Sequence, residues 1–130
     1  MKKKKGFTLI ELIIVIAILA LLIAIAIPRY QRSNLSAQAT AHNANVRVIK
    51  NAAILYSMDK PTEGTIELDD LKPYLESGEV PKPAKALSKY TSFTVKVENG
   101  NIIVEPGMVK IDNNNTLVPD TGKPDQAKQK

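Results

Sequence analysis

Residues 7–27 read FTLIELIIVIAILALLIAIAI, and Glu11 is the one ionisable side chain in this apolar run of 21 residues. As a helix rising about 1.5 Å per residue, the run spans about 31 Å, roughly the hydrocarbon thickness of a bilayer. An acid near the end of such a run is disfavoured in lipid, so its presence marks a function. Lys2 to Lys5 precede the run and end at a small residue, Gly6. A basic leader of this kind keeps its end of a membrane helix on the cytoplasmic side.

The chain has 130 residues, which leaves room beside the apolar run for one soluble domain of roughly 100 residues. Its formal charge of +5 resides mostly in the leader. Without those four lysines the body is nearly neutral, so it lacks the clustered Lys and Arg that nucleic-acid binding requires. With no cysteine, the chain has no disulfides, no thiolate zinc site and no cysteine nucleophile. Two Phe, four Tyr and no Trp make stacking platforms for bases or sugars poorly supported.

Working outward, Ala17, Ala20 and Ala24 fall at helical spacing and form a small-residue stripe where another helix could approach. Pro28 ends the apolar block. It cannot donate a helical hydrogen bond and it clashes one turn back, so a kink or local unwinding is expected there. Residues 29–58 contain no Gly or Pro and continue in a helical pattern. Val46, Ile49, Ala53 and Tyr56 form one stripe, and Ala37, Ala41, Ala44, Val48, Ala52 and Leu55 form its neighbour. One stripe suits the domain's own sheet and the other is left for a partner. Polar residues 31–45 are moderate helix formers and depend on packing.

Residues 59–90 are rich in Pro and Gly and read as a connecting region with one short helix near residues 68–76. The period then changes to two. Phe93, Val95 and Val97 alternate with Thr94, Lys96 and Glu98 before Asn99-Gly100, a strong hairpin signal. A two-residue turn there pairs Val97 with Ile102 and Val95 with Val104. Val109 and Ile111 suggest a third strand, and Leu117-Val118 the start of a fourth. The expected fold is α+β: a long N-terminal helix, with a protruding apolar half and a kink at Pro28, packed on a small antiparallel sheet.

The block KKKKGFTLIELIIVIAILALLIAIAIPRY closely resembles the N-terminal segment of type IV pilins and the related pseudopilins. The match runs from Lys2 to about Gln31. Beyond it the resemblance is architectural. It implies a leader at residues 1–6, a transmembrane and filament-core helix at 7–28, a headgroup at 29–118 and a polar flexible tail at 119–130. It also implies cleavage between Gly6 and Phe7 by a prepilin peptidase, which then methylates the new N-terminus at Phe7. The mature chain would polymerise with identical copies through a membrane assembly platform and its ATPase. The product is an extracellular pilus for adhesion, motility or DNA uptake, or alternatively the pseudopilus of a type II secretion or competence system. The resemblance assigns Glu11, fifth in the mature chain, to neutralising the N-terminal amine of an adjacent subunit. It implies no cofactor, no metal, no specific nucleic acid and no enzymatic activity. Two departures stand out: the mid-helix glycine of many pilins is Ala20 here, and the C-terminal disulfide of many pilins is impossible.

The pairing has a physical logic. A free α-amine has a pKa of about 8, so cleavage creates a cation beside the apolar run. Within a protein core, amine and carboxylate reduce each other's desolvation cost. A subunit out of step leaves both uncompensated, which sets register.

Other readings explain less. Ala24-Ile25-Ala26 mimics a signal-peptidase site, but an ordinary secretory signal or a plain anchor leaves Gly6 and Glu11 unexplained. His42 has no paired nucleophile or second ligand for catalysis or metal binding. The oxygen-rich stretch from Asp112 to Asp120 could hold calcium but lacks the spacing of an EF-hand loop, which favours a solvated turn. Residues 118–122 (VPDTG) resemble a cell-wall sorting signal but lack the hydrophobic tail one needs. Lys123, Lys128 and Lys130 read as solubilising charges.

Overall fold

The computed structural model describes residues 6–121, so the lysine leader and the three tail lysines lie outside the described residues. Helix α1 runs from Leu9 to Asp59, 51 residues without a break in its assignment. The helix passes through Pro28, which leaves the Ala24 carbonyl without its usual donor. The chain divides into two compact units, with the boundary after Asn34.

In the first unit every described residue, 6–34, is exposed. This segment of α1 has nothing of its own unit to pack against. Apart from the Ala24 carbonyl, the hydrogen bonds of its helix interior are satisfied within the helix, as a membrane or a protein core requires.

The second unit is a small α+β domain. The final 25 residues of α1, 35–59, bury Ala39, His42, Val46, Ile49, Ala52 and Ala53. Strands β1 (Gly64–Ile66), β2 (Thr94–Glu98) and β3 (Asn101–Glu105) form an antiparallel sheet in that order. The sheet places Ile66, Val95, Val97 and Val104 on the side that joins Val46, Ile49 and Ala53 in one core. Phe93, Leu71 and Leu75 complete it. Burying each large side chain of this kind contributes about 1.5–3 kcal/mol.

The hairpin forms as the alternation predicts. Val97 pairs with Ile102 and Val95 with Val104. Asn99 and Gly100 take φ values of 53° and 80°, the two positive angles that a type I′ turn demands.

Three features depart from the expectation. The connecting region contains β1, an edge strand that pairs Ile66 with Val95. At three residues it is too short to show an alternation, and it becomes a strand by tertiary pairing. The short helix α2 stops at Leu71 and tightens into a 3-10 turn at Lys72–Tyr74, with Pro73 inside that turn. Strands β4 (Val109–Ile111) and β5 (Leu117–Pro119) pair with each other as a separate two-stranded sheet rather than extending the first. Strand β5 thus includes Pro119, the first residue of the expected tail.

Candidate functional site

The residues assigned to processing and assembly sit at the start of α1. Thr8 is the N-cap, and Leu12 N–H donates to its carbonyl at 3.3 Å, closing the first helical turn. Two further bonds lock this end. The Thr8 N–H donates to Glu11 Oε2 at 3.0 Å, and the Glu11 N–H donates to Thr8 Oγ1 at 3.3 Å. This reciprocal arrangement is a capping box, in which the N-cap hydroxyl and the acid three residues on each satisfy an otherwise orphaned amide. The negative carboxylate also lies at the positive end of the helix dipole. The signal, T-x-x-E ahead of an apolar run, is present in the sequence, but the more conspicuous expectation of a Glu11–amine pairing masks it.

Gly6 and Phe7 precede the cap in open surroundings. Phe7 is 92% exposed, and a Cβ built on Gly6 would meet no atom within 4 Å. Packing within the chain therefore does not require glycine at position 6. Beyond the cap, an eighteen-residue window of α1 reaches a mean hydropathy of 3.3 with none of it buried.

The polar stretch of α1 has a different role from that of Glu11. His42 is fully buried against Phe93, with ring centroids 5.4 Å apart. Its Nε2 lies 2.9 Å from the Gly107 carbonyl, and its Nδ1 accepts the Ala84 N–H at 3.2 Å. A carbonyl can only accept, so Nε2 carries the proton and both ring nitrogens are satisfied. Asn43 accepts the Val109 N–H at 2.8 Å and donates to the Val109 carbonyl at 2.9 Å. Gln38 accepts the Ala86 N–H at 3.0 Å. His42 is thus a core residue that ties two loops to the helix. Stepping the stripe of Val46 and Ile49 back by four and then three residues reaches His42 and Ala39, so its burial was legible.

The neighbouring stripe is mostly open. Ala37, Ala41, Ala44, Val48 and Leu55 are exposed, while Ala52 is buried. The loop between β4 and β5 is closed by its own atoms. Asp112 Oδ1 accepts the Thr116 N–H at 2.8 Å and the Asn114 N–H at 3.0 Å. These bonds, Thr116 foremost, hold the Asp112 carboxyl below its ordinary range. No group of three or more His, Cys, Asp or Glu suited to a metal occurs among the described residues.

Comparison with known proteins bears on residues 1–27, which match the family described as "Prokaryotic N-terminal methylation motif". A fimbrial protein of Pseudomonas aeruginosa is 53% identical over 53 residues, 41% of this chain and 34% of that protein. Fimbrial protein EcpB of Eikenella corrodens is 63% identical over 38 residues, 29% of this chain and 24% of its own. The type IV major pilin protein PilE1 of Neisseria gonorrhoeae is 36% identical over 100 residues, covering 75% of this chain and 49% of that pilin. The chain thus spans between about a quarter and about a half of the length of the curated relatives it matches. No solved structure matches it significantly. By its methylation motif and by these relatives, the chain is similar to fimbrial proteins and to a type IV major pilin.

Proposed function

We propose that the chain is the precursor of a structural subunit of a type IV pilus. In this reading residues 7–28 hold it in the cytoplasmic membrane with the lysine leader on the cytoplasmic face. A prepilin peptidase cuts between Gly6 and Phe7 and methylates the Phe7 amine. The membrane assembly platform and its ATPase then pass the subunit into an extracellular polymer of identical copies. Relatives named as fimbrial proteins and as a major pilin favour a pilus over a secretion or competence pseudopilus.

The observation that carries the reading is the complete exposure of residues 6–34 in a single chain. An apolar surface of that size must be covered, first by lipid and then by protein. Lipid is as apolar as the side chains, so the transfer from one to the other changes hydrophobic energy little. Gly6 fits the same reading: its missing side chain serves nothing inside the chain, which suits recognition by an enzyme.

Glu11 performs two tasks without conflict. A carboxylate offers about four lone-pair sites, and the cap engages Oε2 with one amide. The cap fixes the side chain at the first turn and leaves acceptor capacity for the amine of an adjacent subunit. Pro28, with the undonated Ala24 carbonyl beneath it, supplies the point at which the helix bends or opens on assembly. Ala20 adds no second weak point.

The test is Glu11→Ala in the full-length precursor. Insertion and cleavage should continue, N-terminal sequencing should give N-methylated Phe7, and electron microscopy of sheared surface material should show fibres lost or disordered. Normal fibres from this variant would refute the register role of Glu11. A mature protein beginning elsewhere than Phe7 would refute the reading as a whole.

A further inference from the structure

We propose that Arg29, Tyr30 and Arg32 form a collar that docks on the phosphate groups of lipid headgroups, in the leaflet opposite the lysine leader, and so sets the depth of the precursor in the bilayer. The inference rests on the reading of residues 7–28 as the membrane segment. Ile27 is the last residue of the apolar run. At about 1.5 Å per residue, Arg29 lies about 3 Å and Arg32 about 7.5 Å beyond it along the helix. The headgroup layer on each side of a bilayer is about 5–7.5 Å deep, so Arg29 and Tyr30 fall within it and Arg32 at its outer edge.

The helix is continuous here, so the three side chains leave one rod at fixed angles. Arg29 and Arg32 are three residues apart and share a face. Tyr30 is 73% exposed, and both arginines are exposed. A tyrosine ring with a polar tip suits the boundary between hydrocarbon and water. A guanidinium fork matches a phosphate in two hydrogen bonds.

Charge complementarity points the same way. Between Glu11 and Asp59 the helix carries no acidic side chain, so no acidic neighbour one turn away on α1 faces Arg29. Arg32 also interacts within the chain, which leaves Arg29 and Tyr30 as the more direct probes. Pinning this end at the headgroups places the Gly6–Phe7 bond beyond the far end of the roughly 31 Å apolar run, at the opposite face.

The experiment uses the full-length precursor in vesicles of phosphatidylcholine with phosphatidylglycerol. The chain has no tryptophan, so Tyr30→Trp gives a single fluorescent reporter. Its emission should be quenched more by a headgroup-level quencher than by one in mid-chain or one in water. Adding Arg29→Gln and Arg32→Gln should shift quenching away from the headgroup level, and the shift should be smaller in pure phosphatidylcholine. Trypsin access to the leader lysines from one side only reports whether the helix still spans. A spanning helix whose indole quenching is unmoved by the arginine substitutions overturns the collar alone. A helix that does not span overturns the collar together with the membrane reading.

Discussion

Residues 9–34 of α1 bury nothing, whereas residues 35–59 bury six side chains, one of them a histidine. Both stretches belong to one unbroken helix, yet they are stabilised by different means. The second stretch owes its order to the core and to the loops that its polar residues hold. The first owes it to residue choice, to the capping box, and to whatever surrounds it. A helix of good formers still gains most of its stability from packing in water. The contrast therefore separates what the chain can complete alone from what it needs neighbours to complete.

Substitutions should break or sharpen that contrast. The largest effect is expected at the core. Ile49→Ala should lower the stability of the headgroup by about 2–5 kcal/mol, while the equivalent Ile18→Ala should leave headgroup unfolding unchanged. Denaturant titration of the two variants in detergent measures both. Equal losses would mean that the two stretches do not differ in the way described.

The polar clamp comes next. His42→Ala strands the Ala84 N–H and the Gly107 carbonyl, at a cost of about 1–3 kcal/mol. Amide exchange should accelerate at Ala84 more than at the strand residues Val95 and Val97. At the other end of α1, Thr8→Val removes the hydroxyl half of the capping box. That change should cost about 1 kcal/mol and fray the first turn, seen as faster exchange of the Glu11 amide in micelles.

The smallest effect is a pH dependence confined to the loop between β4 and β5. The Asp112 carboxyl is depressed in the folded state, so its contribution is complete above the ordinary carboxylate pKa of about 3.9. It disappears as pH falls through the lower folded value. Exchange protection at Thr116 should be constant, after correction for intrinsic rates, down to about pH 4 and fall below it. Asp112→Ala should abolish that transition without moving the stability of the β1–β3 sheet.

The same contrast explains what could be read from residues alone. Strong periodicity made α1 and the β2–β3 hairpin legible, and Asn99-Gly100 set the register to the residue. Strand β1 was not legible, because its three residues are specified by a partner distant in sequence. Val109, Ile111 and Leu117-Val118 were legible as strands, but not their pairing as a sheet separate from the first. Glu11 and Pro28 stood out by type and position, whereas the roles proposed for Gly6, Phe7 and Glu11 come from the resemblance of the N-terminal block. The internal bond from Thr8 to Glu11 was legible as T-x-x-E but was masked by the more conspicuous intermolecular role proposed for Glu11. His42 was passed over because it lies in the polar stretch 31–45, although the 3–4 spacing of the buried stripe already included it.

The clamps at Gln38, His42 and Asn43 all grip main-chain atoms. Every residue except proline supplies the same amide, so the anchoring of residues 84 and 86 is indifferent to which side chains they display. The outer loop can therefore change its chemical face, residue by residue, while the scaffold beneath keeps its grip. A displayed surface can diversify in this way without the fold being renegotiated.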